Sequence, residues 1–199
     1  KLKAEAEVKM NIANKLTMLR VFMIPVFVVL MKLNIPMNFL WALIIFAMAS
    51  LTDALDGMLA RKHNLVTNFG KFLDPLADKA LTVTAFILLL EHSLVSDIVI
   101  VIIVMREFMV SGLRLAASSS EGIVISASIT GKFKTISQMV SIIFGIGILS
   151  ANQTFTVPSD LYDSLSLGCH IAMWISAALT VISGIQYLWA YRNAIDPSK

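Results

Sequence analysis

Apolar residues run along this chain in six long blocks, near 17–33, 38–58, 75–91, 95–115, 133–150 and 165–190. Each is close to the ~20 residues that an α-helix needs to cross hydrocarbon. The blocks lack the wide polar stripe of a helix laid on a soluble core. The pattern therefore predicts an all-α membrane protein with six transmembrane helices, rather than a soluble helical bundle. Pro25 lies inside the first block and is placed to kink it, and Pro36 marks the turn that follows. Pro75 suits the first turn of the third helix, where a missing N–H costs nothing. "MNIANKL", residues 10–16, reads as a short helix lying on the membrane surface. "SSSEGIVIS", residues 118–126, reads as a polar loop or a partly helical linker.

Composition points the same way. Of 199 residues, 57% are hydrophobic and only 15% charged, against roughly half and a quarter in a soluble domain. The length suits one domain, expected over residues 10–199. Residues 1–9, "KLKAEAEVK", are expected to lie outside it as a disordered or non-native extension, with Met10 the native start. The single cysteine, Cys169, excludes an internal disulfide and a Cys-rich metal site. The net charge of +3 matters through its distribution. With a cytoplasmic N-terminus, every one of the 16 lysines and arginines except Lys32 falls on the inner side. Glu91, Asp97, Asp160 and Asp163 mark the outer turns. This bias puts both termini in the cytoplasm and the chain, multi-pass, in the cell (inner, cytoplasmic) membrane. No nucleic-acid partner is expected.

Two stretches break the apolar pattern, "LTDALDGMLAR" at 51–61 and "GKFLDPLADKA" at 70–80. Asp53 and Asp56 are spaced i,i+3, and Asp74 and Asp78 i,i+4, so each pair shares a helical face. Both pairs fall at the cytoplasmic ends of consecutive helices. Four ionised carboxylates in one small volume at membrane depth need protons or cations. Two divalent cations would balance them, and an all-oxygen donor set favours Mg²⁺, Mn²⁺ or Ca²⁺. Paired metals of this kind commonly assist phosphoryl displacement. Gly57, Ala60 and Gly70 beside the acids suit close approach by a ligand, and Arg61 can fork onto phosphate oxygens. Structural roles compete: Asp74 before Pro75 has the form of a helix cap, and Arg61, Lys62 and Lys79 could pair with the acids.

These residues carry a resemblance. "DALDGMLARKHNLVTNFGKFLDPLAD" fits the pattern D-x2-D-G-x2-A-R-x8-G-x3-D-x3-D of the CDP-alcohol phosphatidyltransferase family at every fixed position. The resemblance implies six transmembrane helices around a cytoplasm-facing polar cavity, two divalent cations (Mg²⁺ or Mn²⁺) and a homodimer. It implies displacement of CMP from a CDP-linked lipid by an alcohol. It assigns Asp53, Asp56, Asp74 and Asp78 as metal ligands. Asp78, the last of them, is the base, although contact with the second metal would lower its basicity. Gly57, Ala60, Arg61 and Gly70 fall to binding of CDP-diacylglycerol.

"NIANKLTMLR", "REFMVSGLRLAASS" and "GKFKTISQM" are similar to the branch of the family whose acceptor is sn-glycerol 3-phosphate. Ala13 departs from that branch, which usually has proline there. The expected products are phosphatidylglycerophosphate and CMP. Glycerol 3-phosphate is a small dianion, and Arg114, Lys132 and Lys134, with Arg106 deeper, can hold its phosphate; the competing role is topological anchoring. Asn14, Thr17 and Arg20 recur every three residues and are candidates to cap the cavity. Asn14 and Thr17 are assigned to the CDP-lipid and Arg20 to the acceptor; the competing reading is an N-cap and a snorkelling arginine. His63, His92 and His170 share no spacing and read as structural or surface residues. Two alternatives stay open. One is the same chemistry on another alcohol, as in cardiolipin, phosphatidylserine or phosphatidylinositol phosphate synthesis. The other is a small cation transporter, which should carry acids near the bilayer midplane as well.

Overall fold

The computed structural model describes the backbone of residues 12–63, 68–120 and 129–191, and the side chains of 16–52, 76–113 and 129–190. Among these residues there are six helices and no strand: α1 (Ile12–Lys32), α2 (Asn38–His63), α3 (Asn68–Glu91), α4 (Asp97–Ser120), α5 (Ile129–Phe155) and α6 (Ser159–Tyr191). Two of them, α5 and α6, are long and apolar enough within the described residues to cross a bilayer.

Most helices run past their apolar blocks at the ends that carry the polar motifs. α1 is continuous from Ile12, so residues 12–16 extend the first helix instead of forming a separate surface helix. Ala13 falls in its first turn, where proline would fit equally well. α1 also runs through Pro25 without being divided. α3 begins at Asn68, which places Pro75 in the helix interior rather than in its first turn. Pro75 cannot donate to the carbonyl four residues back. Asp74 is therefore not an N-cap, and the capping role considered for it falls away. α4 takes in residues 118–120 of the expected linker; 121–126 lie outside the described residues, as do residues 1–11.

α1 packs on α2 and α3, α5 on α2, α3 and α6, and α4 on α3 and α6. The core is apolar along one half of the bundle. Phe27, Phe46, Phe86, Leu89, Ile142, Ile146 and Met173 are buried there, with Phe27 and Phe46 rings 5.6 Å apart. Towards the other end the buried faces turn polar. On α1 they run from Met31, Phe27 and Met23 to Arg20 and Thr17. On α5 they run from Leu149, Ile146 and Ile142 to Ser141, Gln138 and Lys134, and on α6 from Cys169 and Met173 to Ser176, Thr180 and Ser183. The outward faces are the reverse: Phe22, Met105, Phe108, Ile143, Ile175, Ile185 and Trp189 are exposed. Apolar surface this extensive on every helix suits hydrocarbon and not water.

The apolar end carries the short turns 33–37, 92–96 and 156–158, and polar contacts tie them together. Gln153 donates to Asn38 Oδ1 (2.6 Å) and Asn38 donates to Leu30 O (3.1 Å). His170 bonds Ser93 O (2.9 Å), His92 stacks edge-on to Phe39, and Lys32 pairs with Glu91. Those two histidines are structural, as expected. Within the core, a Cβ built on Gly145 would lie 3.0 Å from Leu89 Cδ2 and 3.3 Å from Cys169 Sγ, whereas one on Gly147 would meet nothing within 4 Å. Gly145→Val should therefore destabilise the protein by roughly 1–3 kcal/mol through overpacking. Gly147→Val carries the same propensity change without the clash. Thermal unfolding in detergent checks this, and equal midpoints for the two variants would refute the close packing of α3, α5 and α6.

Candidate active site

The polar end of the bundle holds a pocket walled by α3, α4 and α5. Asp78, Lys79, Thr82 and Val83 line it from α3, Ile103 and Glu107 from α4, and Lys134, Thr135, Gln138 and Met139 from α5. The spacing is helical on all three walls. Positions i, i+1, i+4 and i+5 of α3 and α5 face inward together, and i, i+4 of α4 do so between them. About 320 Å³ of empty space lies between them, part of it open to solvent.

Electrostatically the pocket is organised by Glu107. Its Oε1 forms an ion pair with Lys134 Nζ and lies 3.5 Å from Arg106 Nη1. Lys134, Arg106 and Glu107 side chains are 7%, 10% and 13% exposed, so the cluster is screened from solvent. Arg106 also donates through Nη2 to Ser183 Oγ on α6 (2.7 Å), and its aliphatic stem packs on Gly184. Lys134 and Arg106 thus face two carboxylates, Glu107 and Asp78, and the cations are held in place at the pocket wall.

The remaining sequence candidates fall into three groups. Arg20 is fully buried and does not snorkel; its Nε donates to Ala49 O (3.4 Å), the carbonyl one turn before Asp53 on α2. Thr17 is buried on the same face of α1. Lys132 is exposed, about 200° around α5 from Lys134, and does not line the pocket. The backbones of Asn14 on α1, of Asp53, Asp56, Gly57, Ala60 and Arg61 on α2, of Gly70 and Asp74 on α3 and of Arg114 on α4 are helical. Their side chains lie outside the described residues. The C-terminal turns of α2 and the N-terminal turns of α3 nevertheless occur at the polar end, and the two helices pack together.

A model of the CDP-alcohol phosphatidyltransferase family matches residues 10–182. The chain belongs to that family. Several curated relatives match almost end to end. The CDP-diacylglycerol–glycerol-3-phosphate 3-phosphatidyltransferase of Bacillus subtilis (strain 168) is 39% identical over 200 residues, covering 94% of this chain and 98% of that one. Proteins of the same name are similar in Rickettsia bellii, 38% identical with 92% and 96% covered, and in Haemophilus influenzae, 37% identical with 94% and 96% covered.

As a CDP-alcohol phosphatidyltransferase the chain is a transferase, and a buried lysine sharing a pocket with Asp78 suits phosphate chemistry. Among the described residues no cluster of three His, Cys, Asp or Glu could hold a metal ion. The donor set that could do so is Asp53, Asp56, Asp74 and Asp78, brought by paired helix ends and made only of hard oxygens. The residues present thus fit divalent cations. Glu107 and Gln138 received no role from sequence reasoning. The signal for Glu107 was an acid within an apolar helix, which defaults to function.

The Glu107 cluster makes a stability prediction. Glu107→Ala leaves Lys134 and Arg106 together without their shared anion, and breaking a buried pair from one side costs about 3–5 kcal/mol. The double change Glu107→Gln with Lys134→Met should recover most of that loss. Unfolding midpoints of the three proteins check it; a single variant as stable as wild type would remove Glu107 from its organising role.

Proposed function

We infer that this protein transfers the phosphatidyl group of CDP-diacylglycerol to sn-glycerol 3-phosphate, giving phosphatidylglycerophosphate and CMP. The observation that carries this reading is the buried Lys134–Glu107 ion pair sharing one pocket with Asp78, with Arg106 behind it 3.5 Å from Glu107. A charged acceptor needs such a cluster and a neutral alcohol does not. Near-complete overlap with relatives named for this reaction supports it.

In the reaction, the acceptor hydroxyl oxygen attacks the phosphorus that bears the diacylglycerol. The pyrophosphate P–O bond breaks and CMP leaves. Asp78 takes the hydroxyl proton, because that hydroxyl is too weak an acid to ionise alone near neutral pH. Asp53, Asp56 and Asp74, with Asp78 at the margin, hold two divalent cations, Mg²⁺ or Mn²⁺. When bound, these supply charge neutralisation at the attacked phosphorus and the leaving group. Arg61 steadies the pyrophosphate, Gly57, Ala60 and Gly70 let it approach the helices, and Asn14 and Thr17 close that side. Lys134 holds the acceptor phosphate, with Arg106 behind Glu107 and with Arg114 and Arg20 adding positive potential. The domain is taken as residues 10–199 with six membrane spans, both termini and the pocket on the cytoplasmic side of the cell membrane, and a homodimer as the working form.

Two measurements test this. CMP release from CDP-diacylglycerol should require glycerol 3-phosphate, stop on chelation and return with Mg²⁺ or Mn²⁺; Asp74→Asn should abolish it in a folded protein. Full turnover in excess chelator would end the divalent-cation reading. Lys134→Gln should raise the KM for glycerol 3-phosphate roughly 10- to 150-fold, the value of one charge-assisted bond. The KM for CDP-diacylglycerol should move far less. An unchanged acceptor KM would release Lys134 from phosphate binding and reopen the choice of alcohol.

A further inference from the structure

The pocket is layered. Asp78 on α3, Glu107 on α4 and Lys134 on α5 form a charged tier. One helical turn farther into the bundle, Thr82, Ile103 and Gln138 form a neutral tier. The hydrogen-bond polarity of that second tier is set from behind. Thr180 Oγ1, buried on α6, donates to Ser176 O (2.7 Å). With its only proton committed, it accepts from Gln138 Nε2 (3.2 Å). This fixes the orientation of the Gln138 amide and leaves Oε1 as the acceptor. Gln138 is 3% exposed, so an amide turned the wrong way would have no water to compensate. On the facing wall Thr82 Oγ1 donates to Asp78 O (2.6 Å) and likewise keeps only acceptor capacity.

We propose that Gln138, oriented by Thr180, is a specificity-determining residue that accepts a hydrogen bond from the non-reacting hydroxyl of a polyol phosphate acceptor. The inference rests on the acceptor reading given above. An ionised phosphate has no proton to offer Oε1 or Thr82 Oγ1, so it stays in the charged tier. A hydroxyl brings that proton and fits the neutral tier. The same tier thereby orients the acceptor, and it disfavours a chain that lacks the second hydroxyl, because a site built for a hydroxyl loses binding when its buried polar groups stay unpaired.

The test pairs a substrate deletion with residue deletions. The probes are glycerol 3-phosphate and 3-hydroxypropyl phosphate, which lacks only the central hydroxyl. Wild type should favour glycerol 3-phosphate by roughly 10- to 100-fold in kcat/KM, the range of one desolvated neutral hydrogen bond. Gln138→Leu should bring that ratio to within about threefold of unity while the KM for CDP-diacylglycerol holds. Thr180→Val, which does not line the pocket, should lower the ratio in part, and Thr180→Ser should restore it. A purely structural role would lower activity on both acceptors together and leave the ratio intact. That outcome overturns the proposal, as does a wild type indifferent to the central hydroxyl. A wild type that uses neither phosphate acceptor refutes the acceptor reading instead, so the two failures are distinguishable.

Discussion

A charge inside an apolar bundle must find its counter-charge within the bundle, and here that condition is met at Glu107. Lys134 from α5 and Arg106 from α4 share this carboxylate, and Arg106 continues to Ser183 on α6. The neighbouring Arg106 and Glu107 thus tie α4 to α6 and to α5 at the end where the core has stopped being apolar. Buried ion pairs give little net stability, yet removing one member is severe. The cluster therefore contributes more by fixing where the cations stand than by holding the helices together. The Leu, Ile and Phe contacts at the opposite end are enough for that.

The bundle divides that labour along its length. At one end short turns, the Gln153–Asn38–Leu30 chain of hydrogen bonds and the Lys32–Glu91 pair hold helix termini in register. Exposed pairs like the last contribute at most about 1 kcal/mol, so close packing at Gly145 carries more of the burden. At the other end the helices give up apolar contacts for Arg20, Gln138, Ser176, Thr180 and Ser183. A polar pocket there needs walls that do not collapse, and the well-packed half supplies them. Arg20 joins the two halves by bonding the α2 backbone at Ala49, one turn from Asp53.

Much of this was legible in the sequence where the information is local. The aspartate spacing and the helix count depend on neighbours within a few positions. Helix ends were less legible: the apolar blocks stop at residue 58 and restart at Pro75, but α2 continues to His63 and α3 begins at Asn68. The role of Glu107 was hidden because Lys134 is 27 positions away, and that of Gln138 because Thr180 is 42 away. Only packing creates such pairs. Lys132 is the instructive contrast. Grouped with Lys134 by proximity in sequence, it is separated by helical periodicity, about 100° per residue, which the sequence already contained.

Depth gives these placements a common reason. In the proposed orientation, hydrocarbon about 30 Å thick accommodates about 20 helical residues. Counted from Asn38 at the start of α2, it ends near residue 58; counted back from Glu91 on α3 and Phe155 on α5, near residues 71 and 135. Asp53, Asp56, Asp74, Asp78 and Lys134 thus all lie within about two turns of the headgroup layer, where water and counter-ions still reach. Thr82 and Gln138 lie one turn farther along α3 and α5, and both are neutral groups with hydrogen bonds already made; counted from Asp97, Arg106 and Glu107 on α4 lie about ten residues inside, and there the two ions stand as a pair. On α3 and α5 the apolar Leu81, Phe86, Ile142 and Ile146 follow. The desolvation penalty of an ion rises steeply over this interval, and that of a paired amide or hydroxyl rises much less. On α3 and α5 the change from charged to neutral polar to apolar side chains follows that gradient, and the ions that lie beyond it, Arg106 and Glu107, are compensated by each other and by Lys134.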